Sequence, residues 1–130
     1  MKPTPLVLIA TFVGGCIGTG FRALFGIGFD SVTALWLVNL LGTAMLAVGN
    51  VLAQRPGAKF NRPEAQAFWG VGVAGGFTTM SGLFTLLTLE QPGWSAFFGP
   101  VVMVAMMLAG LATYGAIRWL AGKILLGGSR

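Results

Sequence analysis

At 130 residues, with 55% of them hydrophobic and only 8% charged, the chain has the composition of a membrane protein rather than a soluble domain. No histidine, three acidic residues and one cysteine exclude a disulfide framework, a cysteine–histidine metal cluster and catalysis by histidine or paired carboxylates, so an enzyme is a poor reading. The net charge of +5 forms no stripe for nucleic acid; the basic residues flank hydrophobic spans, as topology signals do.

The first span is expected over residues 6–25. Lys2, Pro3 and Pro5 precede it, a pattern shared by signal peptides and retained helices. Gly14, Gly15, Gly18 and Gly20 favour a retained transmembrane helix, because small residues at this spacing make a flat face for another backbone. Arg22, near its end, either snorkels to the interface or has a functional role. Cys16 reads as a small packing residue. A short loop at residues 26–31, with Asp30, leads to the second span, residues 32–54, long enough for a hydrocarbon core of about 30 Å. Asn39 stands near its middle, with Gly42 and Thr43 after it. A buried amide without partners is costly in lipid. Asn39 therefore either bonds another helix or faces an ion path as a donor.

Residues 55–64 form a polar loop carrying Arg55, Lys59 and Arg62. The third span, residues 65–89, contains the most unusual stretch of the chain. Between Gly72 and Phe84 it holds Gly72, Gly75, Gly76 and Gly82 together with Thr78, Thr79 and Ser81. Each glycine weakens a helix by about 1 kcal/mol relative to alanine. Backbone freed in lipid survives only when buried in protein or lining a polar cavity. Two readings fit: a helix broken at its centre that brings backbone groups to an ion, or a Gly-rich helix packed closely on its neighbours. Pro92 and Gly93 mark a turn before the fourth span, residues 96–120. Gly99, Gly110 and Gly115 are spaced along it, and Trp94 and Trp119 sit near its ends as interfacial aromatics do. Met103, Met106 and Met107 read as packing. Residues 121–130 read as a short basic tail.

The expected architecture is one all-α integral membrane domain, residues 1–130, of four transmembrane helices with the third broken at its centre. Four helices enclose little, and no internal repeat supplies inverted halves. A second chain packed antiparallel, either a copy or a relative, is expected to complete the assembly within the lipid. With four spans, Lys2, Arg55, Lys59, Arg62, Arg118, Lys123 and Arg130 share one side, seven of the eight basic residues. The positive-inside rule places that side, and both termini, in the cytoplasm. A small multidrug-type transporter would also have four spans, but proton coupling there needs a carboxylate within the membrane. Asp30, Glu64 and Glu90 all fall in expected loops.

Four pieces in this order, Gly14-Gly15-Cys16-Ile17-Gly18-Thr19-Gly20-Phe21-Arg22, Asn39-Leu40-Leu41-Gly42-Thr43, Gly75-Gly76-Phe77-Thr78-Thr79-Met80-Ser81 and Gly110, resemble the Fluc (CrcB-like) fluoride channels over essentially the whole chain. The resemblance implies half of an antiparallel dimer with two fluoride pores in a bacterial inner membrane. It implies an anion path lined by Asn39, Thr79, Ser81, Met80 and Leu83, a role for Arg22, and a structural Na⁺ at the dimer interface held by the backbone carbonyls of Gly75 and Thr78. Departures from the family pattern also stand out. Met80 and Leu83 occupy the positions of two pore phenylalanines, whose ring edges carry the positive end of the aromatic quadrupole. Gly82 stands where threonine is usual, Leu35 where threonine is frequent, and Met106 where a serine aligns. These apolar departures open a second reading, a largely architectural subunit whose partner chain supplies the pore-lining groups.

Overall fold

The computed structural model describes residues 4–54, 57, 59–79, 81–85 and 95–126, with side chains at all of these except 83, 84, 95–97 and 126. Helix α1 spans Pro5–Gly28. Its proline sits in the first turn, where a missing N–H costs nothing, and the Thr4 hydroxyl accepts a 3.4 Å bond from the Val7 N–H. Only Phe29 and Asp30 separate it from α2, Ser31–Ala53, so the link is shorter than expected and residues 26–28 are helical. Asp30 makes this sharp junction possible by accepting a 3.0 Å bond from the Thr33 N–H as the α2 cap. The Thr33 backbone amide, and then its hydroxyl, hold the Asp30 carboxyl below the usual carboxylate range.

After a single 3₁₀ turn at Lys59–Asn61 comes a composite helix, α3, over residues 63–77. It is α-helical at Pro63–Gln66, π-helical at Ala67–Ala74 and α-helical again for one turn at Gly75–Phe77. A short helix, α4, follows at Ser81–Thr85, and the last helix, α5, is Ser95–Leu126. With 32 residues at ~1.5 Å each, α5 is about 48 Å long and outruns a hydrocarbon core of ~30 Å. The expected tail is helical as far as Leu126; the single Gly122 is tolerated within the helix, and the Gly127-Gly128 pair follows it in sequence. Lys123 lies over the Trp119 ring there, 3.9 Å from its centroid.

Among the described residues no strand occurs, and three helical segments are long and apolar enough to cross a membrane: Pro5–Gly28, Ser31–Ala53 and Phe98–Leu125. They leave large apolar side chains outside the fold, including Phe12, Ile27, Leu111 and Ile124. The chain is an all-helical integral membrane protein. Of the third expected span, residues 80 and 86–89 lie outside the described residues, as do the expected turn at Pro92 and Gly93 and the interfacial Trp94.

Two pairings organise the subunit: α1 against α3, and α2 against α5. The first is a seam of backbone. Gly14 and Gly18 on α1 meet Gly72 and Gly76 on α3, each pair four residues apart and so on one helix face. A methyl group at Gly72 would lie 2.8 Å from the Thr11 carbonyl oxygen, and one at Gly76 would lie 2.6 Å from that of Gly15. Methyl groups at Gly14 and Gly18 would collide with the carbonyl oxygens of Phe68 and Val73. A methyl at Gly15 or Gly20 would meet open space within the subunit, so the seam needs glycine at only half of the row, although the Gly15 backbone itself lies against Gly76. Cys16, expected to pack, is exposed on the subunit surface. At the far end of the seam Phe77 is buried, with the Phe25 ring edge-on at 5.5 Å.

Gly18→Ala should therefore force α1 off α3 and cost about 1–3 kcal/mol, the usual range for overpacking. Gly49→Ala, which meets open space, should be neutral or stabilising by up to ~1 kcal/mol through helix propensity. Thermal unfolding of the purified protein in detergent separates them; equal melting temperatures for the two variants would show that the seam tolerates a methyl.

Candidate functional site

The chain leaves helical geometry at Thr78, whose φ of −77° and ψ of 153° are extended, and re-enters it at Ser81. The interruption frees backbone groups at the half-buried Thr78 and Thr79, and side chains from two other helices answer them. Asn39 of α2 does most of this. Its Oδ1 accepts the Thr79 N–H at 2.8 Å, and its Nδ2 donates to the Thr79 carbonyl at 3.1 Å. One amide thus meets both polar groups of Thr79, as a neighbouring strand would. The second Nδ2 hydrogen goes to the Met106 sulfur of α5 at 3.2 Å. Asn39 thereby makes interhelical bonds to two elements at once.

Gly42, one turn further along α2 on the same face, supplies room. A methyl there would collide with the Thr78 side chain and lie 3.3 Å from the Phe77 ring. The Asn-x-x-Gly spacing thus has a physical meaning: the amide grips the interrupted segment and the glycine lets it approach. From α1, the Arg22 guanidinium donates a long 3.4 Å bond to the Thr78 carbonyl, and the Thr19 hydroxyl reaches the Gly76 carbonyl at 3.4 Å. Arg22 is half-buried and turned toward the interruption. The Thr78 hydroxyl bonds back to the Ala74 carbonyl at 3.0 Å. The Thr79 hydroxyl accepts the Gly82 N–H at 3.0 Å and lies 3.3 Å from the Ser81 hydroxyl. Among the described residues, no buried side-chain nitrogen or oxygen lacks a partner.

Two cavities lie end to end along α2. One, of about 450 Å³, is lined by Arg22, Ser31, Leu35, Val38, Thr79 and Ser81, among others. The other, of about 390 Å³, is lined by Asn39, Thr43, Thr78, Met106, Gly110 and Tyr114, among others. Tyr114 at its far end receives a 3.0 Å bond from Asn50. Both cavities open on the subunit surface. Where they meet, Leu35 and Met106 are buried against each other, with Trp36, Val102 and Met103 around them.

The structure thus brings Asn39, Thr79, Ser81 and Arg22 to one locus, while Met80 and the Leu83 side chain lie outside the described residues. Sequence reasoning marked Leu35 and Met106 as separate apolar departures. Their contact depends on how α2 lies against α5, and α5 carries hydrophobic residues all round, so nothing in its pattern announces the facing side. The π-helical run is likewise unsignalled. The Gly75 carbonyl suits a hard cation: its usual helical donor, the Thr79 N–H, is spent on Asn39, leaving, among the described residues, a 3.5 Å contact from the Thr78 hydroxyl. The Thr78 carbonyl fits less freely, because the Arg22 guanidinium already leans on it.

An all-helical chain with membrane-length helices, an interrupted segment satisfied from two neighbours and cavities in line beside it has the build of the small membrane proteins that pass ions or small solutes. Known proteins narrow this class. The chain is 37% identical over 120 residues to Fluoride-specific ion channel FluC 2 of Thermobifida fusca, covering 85% of this chain and 87% of that one. It is 30% identical over 122 residues to Fluoride-specific ion channel FluC 2 of Leifsonia xyli, covering 85% and 84%. It is 32% identical over 122 residues to Fluoride-specific ion channel FluC 3 of Brucella suis, covering 88% and 91%. No protein-family model matches it. The chain belongs to the FluC family of fluoride-specific ion channels, which sets aside the small multidrug-type transporter.

Proposed function

We propose that this chain is a subunit of a fluoride channel through which F⁻ leaves the bacterial cytoplasm passively across the inner membrane. The observation that carries this, beside the family membership, is the pair of cavities that follow one another along the length of α2. Ser31 in the first and Leu46 in the second are about 22 Å apart at ~1.5 Å per residue, most of a hydrocarbon core of ~30 Å. Fluoride gives up its water only where other donors replace it. The Arg22 guanidinium, the Thr79 and Ser81 hydroxyls and the Asn39 amide are among the donors that line this path. In this reading residues 63–89 cross the membrane as one interrupted helix, making four spans in a single domain. The open sides of both cavities would be walled by a second subunit packed antiparallel.

Fluoride release from loaded liposomes, followed with a fluoride electrode, tests the reading; wild-type chain should empty them and chloride should be retained. Asn39→Asp keeps an acceptor for the Thr79 N–H but puts a negative charge on the path. It should stop release while the protein still elutes as a folded oligomer, and normal release by this variant would remove Asn39 from the path.

A Na⁺ shared between two subunits at the Gly75 and Thr78 carbonyls would neutralise carbonyl dipoles that the interruption leaves without full partners, a structural rather than a transport role. Bound to the folded state alone, it should stabilise by mass action. The melting temperature should rise in NaCl above its value in the same concentration of N-methylglucamine chloride; identical melting curves would speak against the site.

The orientation rests on charge. Seven of eight basic residues on one side would hold both termini in the cytoplasm, and a chain so biased supplies few antiparallel mates of its own. This favours a related chain of opposite bias as the partner, a pairing that also accommodates the apolar Leu35–Met106 contact. A tag on the C-terminus, in cells expressing this chain alone, should be reachable only after the membrane is permeabilised. Labelling of about half the copies in intact cells would show dual insertion and sink the unlike-pair reading.

A further inference from the structure

We infer that Met106 is the gate of this path: a displaceable plug that, with Leu35, closes the septum between the two cavities. The inference rests on the fluoride-channel reading for the identity of the ion, and on geometry for the rest. The cavities share α2 but not its residues; Leu35 and Val38 line the first, Asn39 and Thr43 the second. The boundary therefore lies between neighbouring turns of α2. Leu35 from the first side and Met106 from the second meet there with 8% and 4% of their surfaces exposed. A contact this dry blocks an anion as a hydrophobic constriction does, by refusing its hydration water.

The chemistry of the blocking residue makes the closure reversible. Met106 is held in place by one polar contact, the Asn39 Nδ2 hydrogen on its sulfur. A thioether is a weak acceptor, and fluoride is a far stronger one. An anion arriving in the second cavity, which Asn39 lines, can take that hydrogen, leaving the sulfur without that polar hold. The other Nδ2 hydrogen stays on the Thr79 carbonyl, so the interrupted segment keeps its support during the exchange. Met106 is unbranched and flexible, and its exposed neighbour Met107 shares the wall of the second cavity, toward which it can swing. Threonine or serine at these positions would leave the septum wet; leucine and methionine keep it shut until an acceptor competes.

The test uses the whole chain in liposomes, with Met106→Ala removing the plug and Val104→Ala, exposed on the outer side of α5, as a control. Initial fluoride release should rise about tenfold or more with Met106→Ala, equivalent to ~1.4 kcal/mol from the barrier, and not with Val104→Ala. A second readout does not depend on which ion passes. Val38→Cys, in a Cys16→Ser background, places a thiol at the buried edge of the septum. Its modification by a water-soluble maleimide in permeabilised liposomes should be slow, and should quicken by a similar factor when Met106→Ala is added. Faster modification without fluoride release would uphold the gate and overturn the fluoride reading. A folded Met106→Ala chain with neither change would overturn the gate. Should Met106→Ala not elute as folded protein, Met106→Ser and Leu35→Thr are judged by the same two measurements.

Discussion

Everything in this subunit follows from one requirement: backbone that leaves helical geometry inside a membrane protein must find hydrogen-bond partners without water. At Thr79 the requirement is met by a single side chain, the Asn39 amide, which matches an N–H and a carbonyl simultaneously. That solution dictates its surroundings. Gly42 must be small for the segment to come within reach of α2. Arg22 and Thr19 must lie across from it to meet the carbonyls of Thr78 and Gly76. The helix leading into the interruption must also be held at a fixed height, and the glycine seam with α1 holds it. Unsatisfied, each buried group would cost about 1–3 kcal/mol, so an interruption with three or four orphans would not persist.

Much of this was legible before any coordinates. Composition decided the membrane class, and the glycine and hydroxyl residues between Gly72 and Phe84 marked where regular helix would fail. Asn39 stood out because an amide in the middle of an apolar span demands a partner. The particular partner was not legible, since Thr79 is forty residues away and is joined through its backbone, which has no side-chain signature. For the same reason the glycines of α1 could be read as a packing face, but not divided into the pair where a methyl would strike α3 and the pair where it would meet open space. Residues 121–130 read as a short basic tail, yet the last helix runs on through them to Leu126. A helix does not stop at the edge of the hydrocarbon when its sequence still favours it, and Lys123, Leu125 and Leu126 do so despite Gly122.

Closure of the path has a different origin from its support. The groups that hold the interruption are polar and come from residues whose types announce a task. The groups that shut it, Leu35 and Met106, are ordinary core residues by type and acquire meaning only by where they stand, at the junction of two cavities. Sulfur adds something leucine lacks, because it keeps a buried amide hydrogen satisfied while binding it loosely. Such a contact stabilises the closed arrangement without committing the amide to it.

The seam between α1 and α3 has a mechanical consequence. Where two helices touch through side chains, rotamer changes let them slide; where they touch backbone to backbone, little can yield, because close-packed interiors compress poorly. Gly14, Gly18, Gly72 and Gly76 therefore weld α1 and the first part of α3 into one stiff plate. The other half of the subunit, α2 against α5, meets through leucine, valine and methionine, which have rotamers to spare. Any displacement the protein makes while ions cross is thereby assigned to the compliant half, with the stiff plate as the frame against which α5 moves.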